Sequence, residues 1–316
     1  MRELITTPGA LKDPTPEALL LCLKDGTQGF WLDIENPDDA DYALLEDTFH
    51  FHPLTLEDIR HQNQRPKLEE YEGYSFAVLF SADWANNELQ VREHHLYLSP
   101  RYLVTVHLEP SPELTDLRAR LRAAPELTKR GLAFLFYLVV DKLVDGVFTV
   151  IESLDGETDT LEDSILERPT TEALGQIYRL KRAVVDLRKV LGAQRDVFQR
   201  LTTGSLGDQQ MTVYFRDVLD HVVRQYETVD SLRDLLTSAM DVYLSTVSNR
   251  LNDVMRRLTV IATLFMPLTF ITGFFGMNFA WLVGHITTLG AFLFGIAVML
   301  ITIVIQFLYF RRRGWV

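Results

Sequence analysis

LTVIATLFMPLTFITGFFGMNF, residues 258–279, and ITTLGAFLFGIAVMLITIVIQFLYF, residues 286–310, contain no charged side chain. At about 1.5 Å of rise per residue they make helices of roughly 33 and 37 Å, long enough to cross a hydrocarbon core of about 30 Å. Both are therefore expected to span a membrane, because core helices of soluble proteins seldom run so far without a charge. Arg256 and Arg257 precede the first stretch and Arg311, Arg312 and Arg313 follow the second, while the connecting loop, Ala280 to His285, has no Lys or Arg. This bias places both chain ends in the cytoplasm of a multi-pass protein of the cell (inner) membrane.

The rest of the chain belongs in water. All 43 carboxylates lie at or before Asp253, so residues 1–253 carry 26 basic and 43 acidic groups, a formal −17, and the last 63 residues carry +5. A chain of net charge −12 repels a phosphate backbone, which excludes nucleic acid as a partner. The single Cys22 excludes an internal disulfide and fits a reducing compartment. The start, MRELITTPGALKD, has no apolar stretch of the secretory kind. Neither a G-x-x-x-x-G-K-[ST] loop nor a G-x-G-x-x-G fingerprint is present, so no nucleotide is expected.

Residues 30–107 read as mixed α/β. Phe30 to Ile34, Tyr74 to Ala82, Leu89 to Leu98 and Arg101 to His107 are expected strands, with Asn86-Asn87 as a turn between the middle two. Asp38 to Phe49 and Pro53 to His61 are expected helices. From Leu132 the period is helical, interrupted at Arg168-Pro169, and the first of these helices ends in an acidic tip: Glu152, Asp155, Glu157, Asp159, Glu162, Asp163 and Glu167. A solvated helix end accounts for such a tip, and attraction of cations is its functional alternative. After the glycine-containing loop Thr202 to Asp208, no Pro or Gly occurs until Pro267, so one helix is expected from about Gln209 into the first span, a rod of roughly 100 Å. The expected divisions are 1–131 (cytoplasmic α/β), 132–207 (antiparallel cytoplasmic helices), 208–279 (stalk and first span), 280–285 (outer loop), 286–310 (second span) and 311–316 (basic tail).

Asp234, Ser238, Asp241, Ser245, Ser248, Asn252, Met255, Leu258, Ala262, Met266, Thr269 and Gly273 follow in steps of three or four and share one face of that rod. The face is small and polar in its cytoplasmic half, apolar from Met255 to Met266, and polar again at Thr269. In a bundle of identical helices this makes a hydrophilic funnel, a hydrophobic constriction and a polar outer half, the ingredients of a gated ion pathway. Small polar residues also permit close helix packing, and periodicity alone leaves both readings open.

At the outer end of the first span, Gly276, Met277 and Asn278 close the stretch MPLTFITGFFGMNF. With SNRLNDVMRRLTVIATLF before it and RRRGWV closing the chain, this resembles the CorA family of divalent-cation transporters, whose signature is Gly-Met-Asn at that place. YFRDVLDH (Tyr214 to His221), DVYLSTVSN (Asp241 to Asn249) and HQNQRPKLE (His61 to Glu69) extend the resemblance over most of the chain. The resemblance implies an α+β membrane protein that assembles as a homopentameric funnel. In it five long helices line the pore, Asn278 receives hydrated Mg2+ at the mouth, and Asp241, Asn252, Met255, Leu258, Met266 and Thr269 face the axis. It also implies regulatory Mg2+ bound between subunits by Glu57, Asp58 and Asp217, and a basic ring of Arg311, Arg312 and Arg313. Neutral amide oxygens suit an ion that gives up water reluctantly. A divalent ion entering down about 100 mV gains about twice 2.3 kcal/mol, so the expected transport is passive.

An enzyme is not expected. His50, His52 and His61 come with no H-E-x-x-H, C-x-x-C or nucleophile elbow, and His94 and His95 on a strand point to opposite faces. The segment after Asn278 departs from the family in having no carboxylate, and its His285 suits Zn2+, Ni2+ or Co2+ better than Mg2+. The alternative expectation is therefore a zinc transporter of the same superfamily, with proton coupling.

Overall fold

The computed structural model describes residues 1–6, 10–25, 29–203, 209–278, 280–285 and 288–315. Gly204 and Gly207 of the expected loop, Phe279 and Ile286 at the ends of the two apolar stretches, and Val316 of the basic tail lie outside the described residues. The chain divides into two compact units, Met1–Met240 and Asp241–Val316.

The first unit contains a seven-stranded sheet. Its strands are β1 (Arg2–Ile5), β2 (Ala10–Lys12), β3 (Phe30–Glu35), β4 (Lys67–Tyr71), β5 (Tyr74–Ala85), β6 (Glu88–Leu98) and β7 (Tyr102–His107), in the order β2-β1-β3-β7-β6-β5-β4. β3 and β7 are parallel and the other neighbours antiparallel. Asn86 and Asn87 join β5 to β6 with φ of 53° and 61°, the two left-handed positions of a type I′ turn. Helices α1 (Pro16–Asp25), α2 (Asp39–Asp47), α3 (Pro53–His61) and α4 (Pro112–Ala123) accompany the sheet. Asp38 caps α2 through a reciprocal box with Asp41, which explains why that helix starts after Pro37.

Strand alternation divides the sheet into an apolar and a polar face. Phe30, Leu32 and Ile34 of β3 join Val104 and Val106 of β7, Phe76 and Val78 of β5, Tyr97 of β6, and Leu19, Leu45 and Ile59 of the first three helices in one apolar cluster. Between these apolar positions, Asp33 of β3 and Thr105 and His107 of β7 are polar and buried, beside the buried Trp31 and Leu103. Trp31 Nε1 donates to Thr105 Oγ1 at 2.9 Å, the Thr105 hydroxyl donates to Asp33, and Arg118 of α4 forms an ion pair with the same carboxylate. His107 Nε2 lies 3.4 Å from Asp33, and Arg122 of α4 binds Glu3 of β1. The charges thus tie α4 to two strands, β1 and β3, and His107 joins β7 to them through Asp33.

Three long helices follow: α5 (Leu132–Glu167), α6 (Thr171–Thr202) and α7 (Gln209–Phe275). Arg168, before Pro169, is extended as a residue preceding proline must be, and Thr170 caps α6. Buried amides connect these helices to their neighbours: Gln194 of α6 accepts the Phe80 N–H at 2.6 Å, and Gln225 of α7 donates to the Val144 carbonyl at 2.7 Å.

In the second unit the C-terminal part of α7 is followed by α8 (Ala280–His285) and α9 (Leu289–Arg312). Among the described residues, Met211–Phe275 of α7 and Leu289–Arg312 of α9 are the two helices long and apolar enough to cross a membrane. One expectation is corrected here: Ala280 to His285 is a short helix, not a loop. His285 Nδ1 bonds the Trp281 carbonyl at 2.8 Å and the two rings stack at 4.6 Å, the contacts of an i,i+4 pair.

Candidate functional site

The second span covers one face of the first. Val260 is buried and Leu264, Pro267, Leu268, Ile271 and Phe275 are half-buried, whereas Leu258, Ala262, Met266, Thr269 and Gly273 are exposed. At about 100° per residue the two sets sit on roughly opposite sides of α7. Gly295 of α9 packs on the covered side, where the Phe275 ring is 3.9 Å from where a Cβ would stand. The remaining stripe residues, Asp241, Ser245, Ser248, Asn252 and Met255, are exposed as well. Met255, Leu258 and Met266 are 59%, 58% and 73% exposed. Within a bilayer this exposed face meets lipid tails or further helices, since both are as apolar as these side chains.

Helix α7 ends at Phe275, and Gly276, Met277 and Asn278 lie just beyond it. The Gly276 N–H bonds the Thr272 carbonyl at 2.9 Å and the Met277 N–H the Phe274 carbonyl at 3.2 Å. A Cβ at Gly276 would meet that Thr272 carbonyl at 3.0 Å, so glycine is what lets the chain close against the last turn. Asn278 is exposed. At the other end, Arg311 and Arg312 occupy the last turn of α9 and Arg313 caps it, all exposed, where cations complement the helix dipole.

The expected regulatory acids fall into two separate neighbourhoods of the first unit. Glu57 is exposed and 3.6 Å from His61, while Asp58 is half-buried and held by Lys67 Nζ at 2.8 Å. Lys67 also binds Glu69 at 3.1 Å, and burial opposes its charge, yet its two carboxylates raise its pKa above the ordinary 10.5. Asp217 is exposed on α7, and its charge acts on Tyr137 and Asp141 of α5. No described contact joins Asp58 to Asp217 within one chain.

Beside Asp217 lies a group that sequence reading missed. Ligand atoms of Asp141, Asp145 and His221 lie within 4.8 Å of one another, and His221 Nδ1 is 3.4 Å from Asp145. Burial, and then the negative charge of Asp145, pushes the Asp141 carboxyl up to about 6. Two acids and an imidazole at this spacing form a donor set for a divalent cation. The signal was visible as two aspartates four apart in the apolar run LVVDKLVDGVF, but their partner is 76 positions away from Asp145 on another helix.

His52, His94 and His95 have structural partners. His52 Nδ1 accepts the Leu54 N–H at 3.2 Å as the cap of α3. His94 bonds Ser81 Oγ at 3.0 Å on one face of the sheet, and His95 lies 3.0 Å from Glu93 on the other.

A sequence model of the family described as CorA-like Mg2+ transporter protein matches residues 26–312. The cobalt/magnesium transport protein CorA of Thermotoga maritima is 36% identical over 308 residues, covering 94% of this chain and 86% of that protein. The putative metal ion transporter YfjQ of Bacillus subtilis is 33% identical over 294 residues, covering 90% and 89%. The solved structure of the CorA magnesium transporter from Methanocaldococcus jannaschii has the same fold, with a TM-score of 0.87 over 100% of this chain and 99% of that one at 23% identity.

Proposed function

The chain belongs to the CorA-like Mg2+ transporter family, a family of divalent-cation transporters, and from that membership we propose that it admits Mg2+ passively down the membrane potential. Five copies enclose the pathway, each lending the exposed stripe of α7 to the axis. The observation that carries this reading is that α9 covers the side of α7 opposite Leu258, Ala262, Met266, Thr269 and Gly273. Facing the axis from five copies, Met255, Leu258 and Met266 would form the narrow apolar segment. Asn278 at the outer mouth bonds the water shell of the ion through a neutral amide, which selects Mg2+ without stripping it. Both termini are cytoplasmic, and the potential supplies the drive, about 2.3 kcal/mol per charge per 100 mV.

Cytoplasmic Mg2+ closes the pathway. Because Asp58 and Asp217 have separate neighbours within one chain, an ion that they share must bridge two subunits, with Glu57 beside it and Asp141, Asp145 and His221 next to Asp217. Carboxylates crowded there repel one another until a divalent ion enters, so its loss loosens the ring. Asp217→Ala is expected to raise the internal Mg2+ needed for half-closure about fivefold, the equivalent of one solvent-exposed charge contact of about 1 kcal/mol. Unchanged inhibition removes Asp217 from the sensor.

The test of the whole reading is uptake into vesicles of purified protein, with Mg2+, Co2+, Ni2+ and Zn2+ in competition and with or without a pH gradient. Potential-driven Mg2+ uptake indifferent to the pH gradient supports it. Zn2+ uptake that follows the pH gradient establishes the zinc alternative in its place.

A further inference from the structure

Between Leu289 and Phe310 of α9, Gln306 is the residue with a side-chain amide. An amide within a membrane span is costly unless it finds a partner. Gln306 Nε2 donates to the backbone carbonyl of Thr263 on α7 at 3.1 Å. That carbonyl is one the helix cannot satisfy itself. In an α-helix the carbonyl of residue 263 accepts from the N–H of residue 267, and residue 267 is a proline inside α7, with no N–H to give.

We propose that Gln306 is a positioning residue for permeation, a role that rests on the transport reading above. Its amide replaces the donor that Pro267 removes, and pins α7 to α9 beside Ala262 and Met266. The hydroxyls of Thr259, Thr269 and Thr272 donate instead to Met255, Phe265 and Leu268, so none of them relieves Thr263. A proline is where a helix bends. Without the cross-brace α7 is free to bend or straighten within its apolar segment, so the width of the constriction depends on a residue of the outer helix.

A double-mutant cycle in the full-length protein tests this, with Gln306→Leu and Pro267→Ala, read both by the Mg2+ uptake that persists at high internal Mg2+ and by the thermal unfolding midpoint. Gln306→Leu alone is expected to raise that residual uptake about fivefold or more, as the loss of the partner of a carbonyl within the membrane span implies, and to lower the midpoint. In the Pro267→Ala background residue 267 donates again, and the same replacement should change uptake less than about twofold and hardly move the midpoint. Coupling in both readouts supports the proposal. Coupling in the midpoint without coupling in uptake overturns the positioning role and leaves a purely structural bond, and no coupling in either overturns the bond itself. Absence of cation flux in the unsubstituted protein defeats the transport reading instead, and the positioning role with it.

Discussion

Vesicles carrying the Asn278→Ala protein should take up Mg2+ at the rate of protein-free vesicles, with the assembly eluting as before. Asn278 lies beyond the last hydrogen bonds of α7 and is exposed, so removing its amide disturbs no packing. What disappears is the acceptor and donor set that meets the hydrated ion, and Mg2+ does not enter a narrow apolar segment without a site that first holds its water shell. Asn278→Asp separates charge from hydration: a ring of carboxylates should bind Mg2+ more tightly and pass it more slowly, with uptake saturating at lower concentration. Undiminished uptake by the alanine variant refutes the mouth assignment.

The second large effect lies in the first unit. Arg118→Met takes the guanidinium from Asp33, which is 0% exposed, and leaves it only His107 and Thr105; removing one partner of a buried pair costs about 3–5 kcal/mol. The unfolding of the first unit, followed by circular dichroism, should therefore move to markedly lower temperature. Asp33→Asn combined with Arg118→Met should recover much of the loss, because no unpaired charge remains. A midpoint within about 1 kcal/mol equivalent of the unsubstituted protein in the single variant would show the pair to be dispensable.

The same network has a pH window. Burial opposes the Asp33 charge, but the hydrogen bond and charge of His107, with Arg118 and Thr105, hold its pKa below the ordinary 3.8. That stabilisation is present above pH 3.8 and is lost as pH falls through the lower folded value. Burial likewise opposes the His107 charge, and Asp33, the Glu109 carbonyl and Glu35 together raise it above 6.5. Its share is complete below pH 6.5 and is lost as pH rises through the folded value. The first unit should thus draw most from this network between those two ordinary values, and Arg118→Met should narrow the window from the acid side.

Much of this was legible in one dimension. A charge-free run of 22 residues, a stripe recurring every three or four positions and the trio Gly276-Met277-Asn278 are local patterns, and so are the cap at Asp38 and the turn at Asn86-Asn87. Short strands β1, β2 and β4 escaped because three to five residues carry too little alternation to separate from loop. The helix Ala280–His285 escaped for the same reason: six residues with an internal glycine have no period to read.

Sequence by itself determined which segments are apolar enough to live in lipid, which side of α7 is polar, and that negative charge is confined to the first 253 residues, because each follows from neighbours within a few positions along the chain. Tertiary structure alone decided which side of α7 the second span covers, that Asp33 meets Arg118 85 positions away, that His221 joins Asp141 and Asp145, and that Gln306 answers the carbonyl released by Pro267. The physical reason is range. Helical period and solvent preference act through adjacent side chains, whereas the partner of a buried charge or an orphaned carbonyl is whichever group packing brings to it.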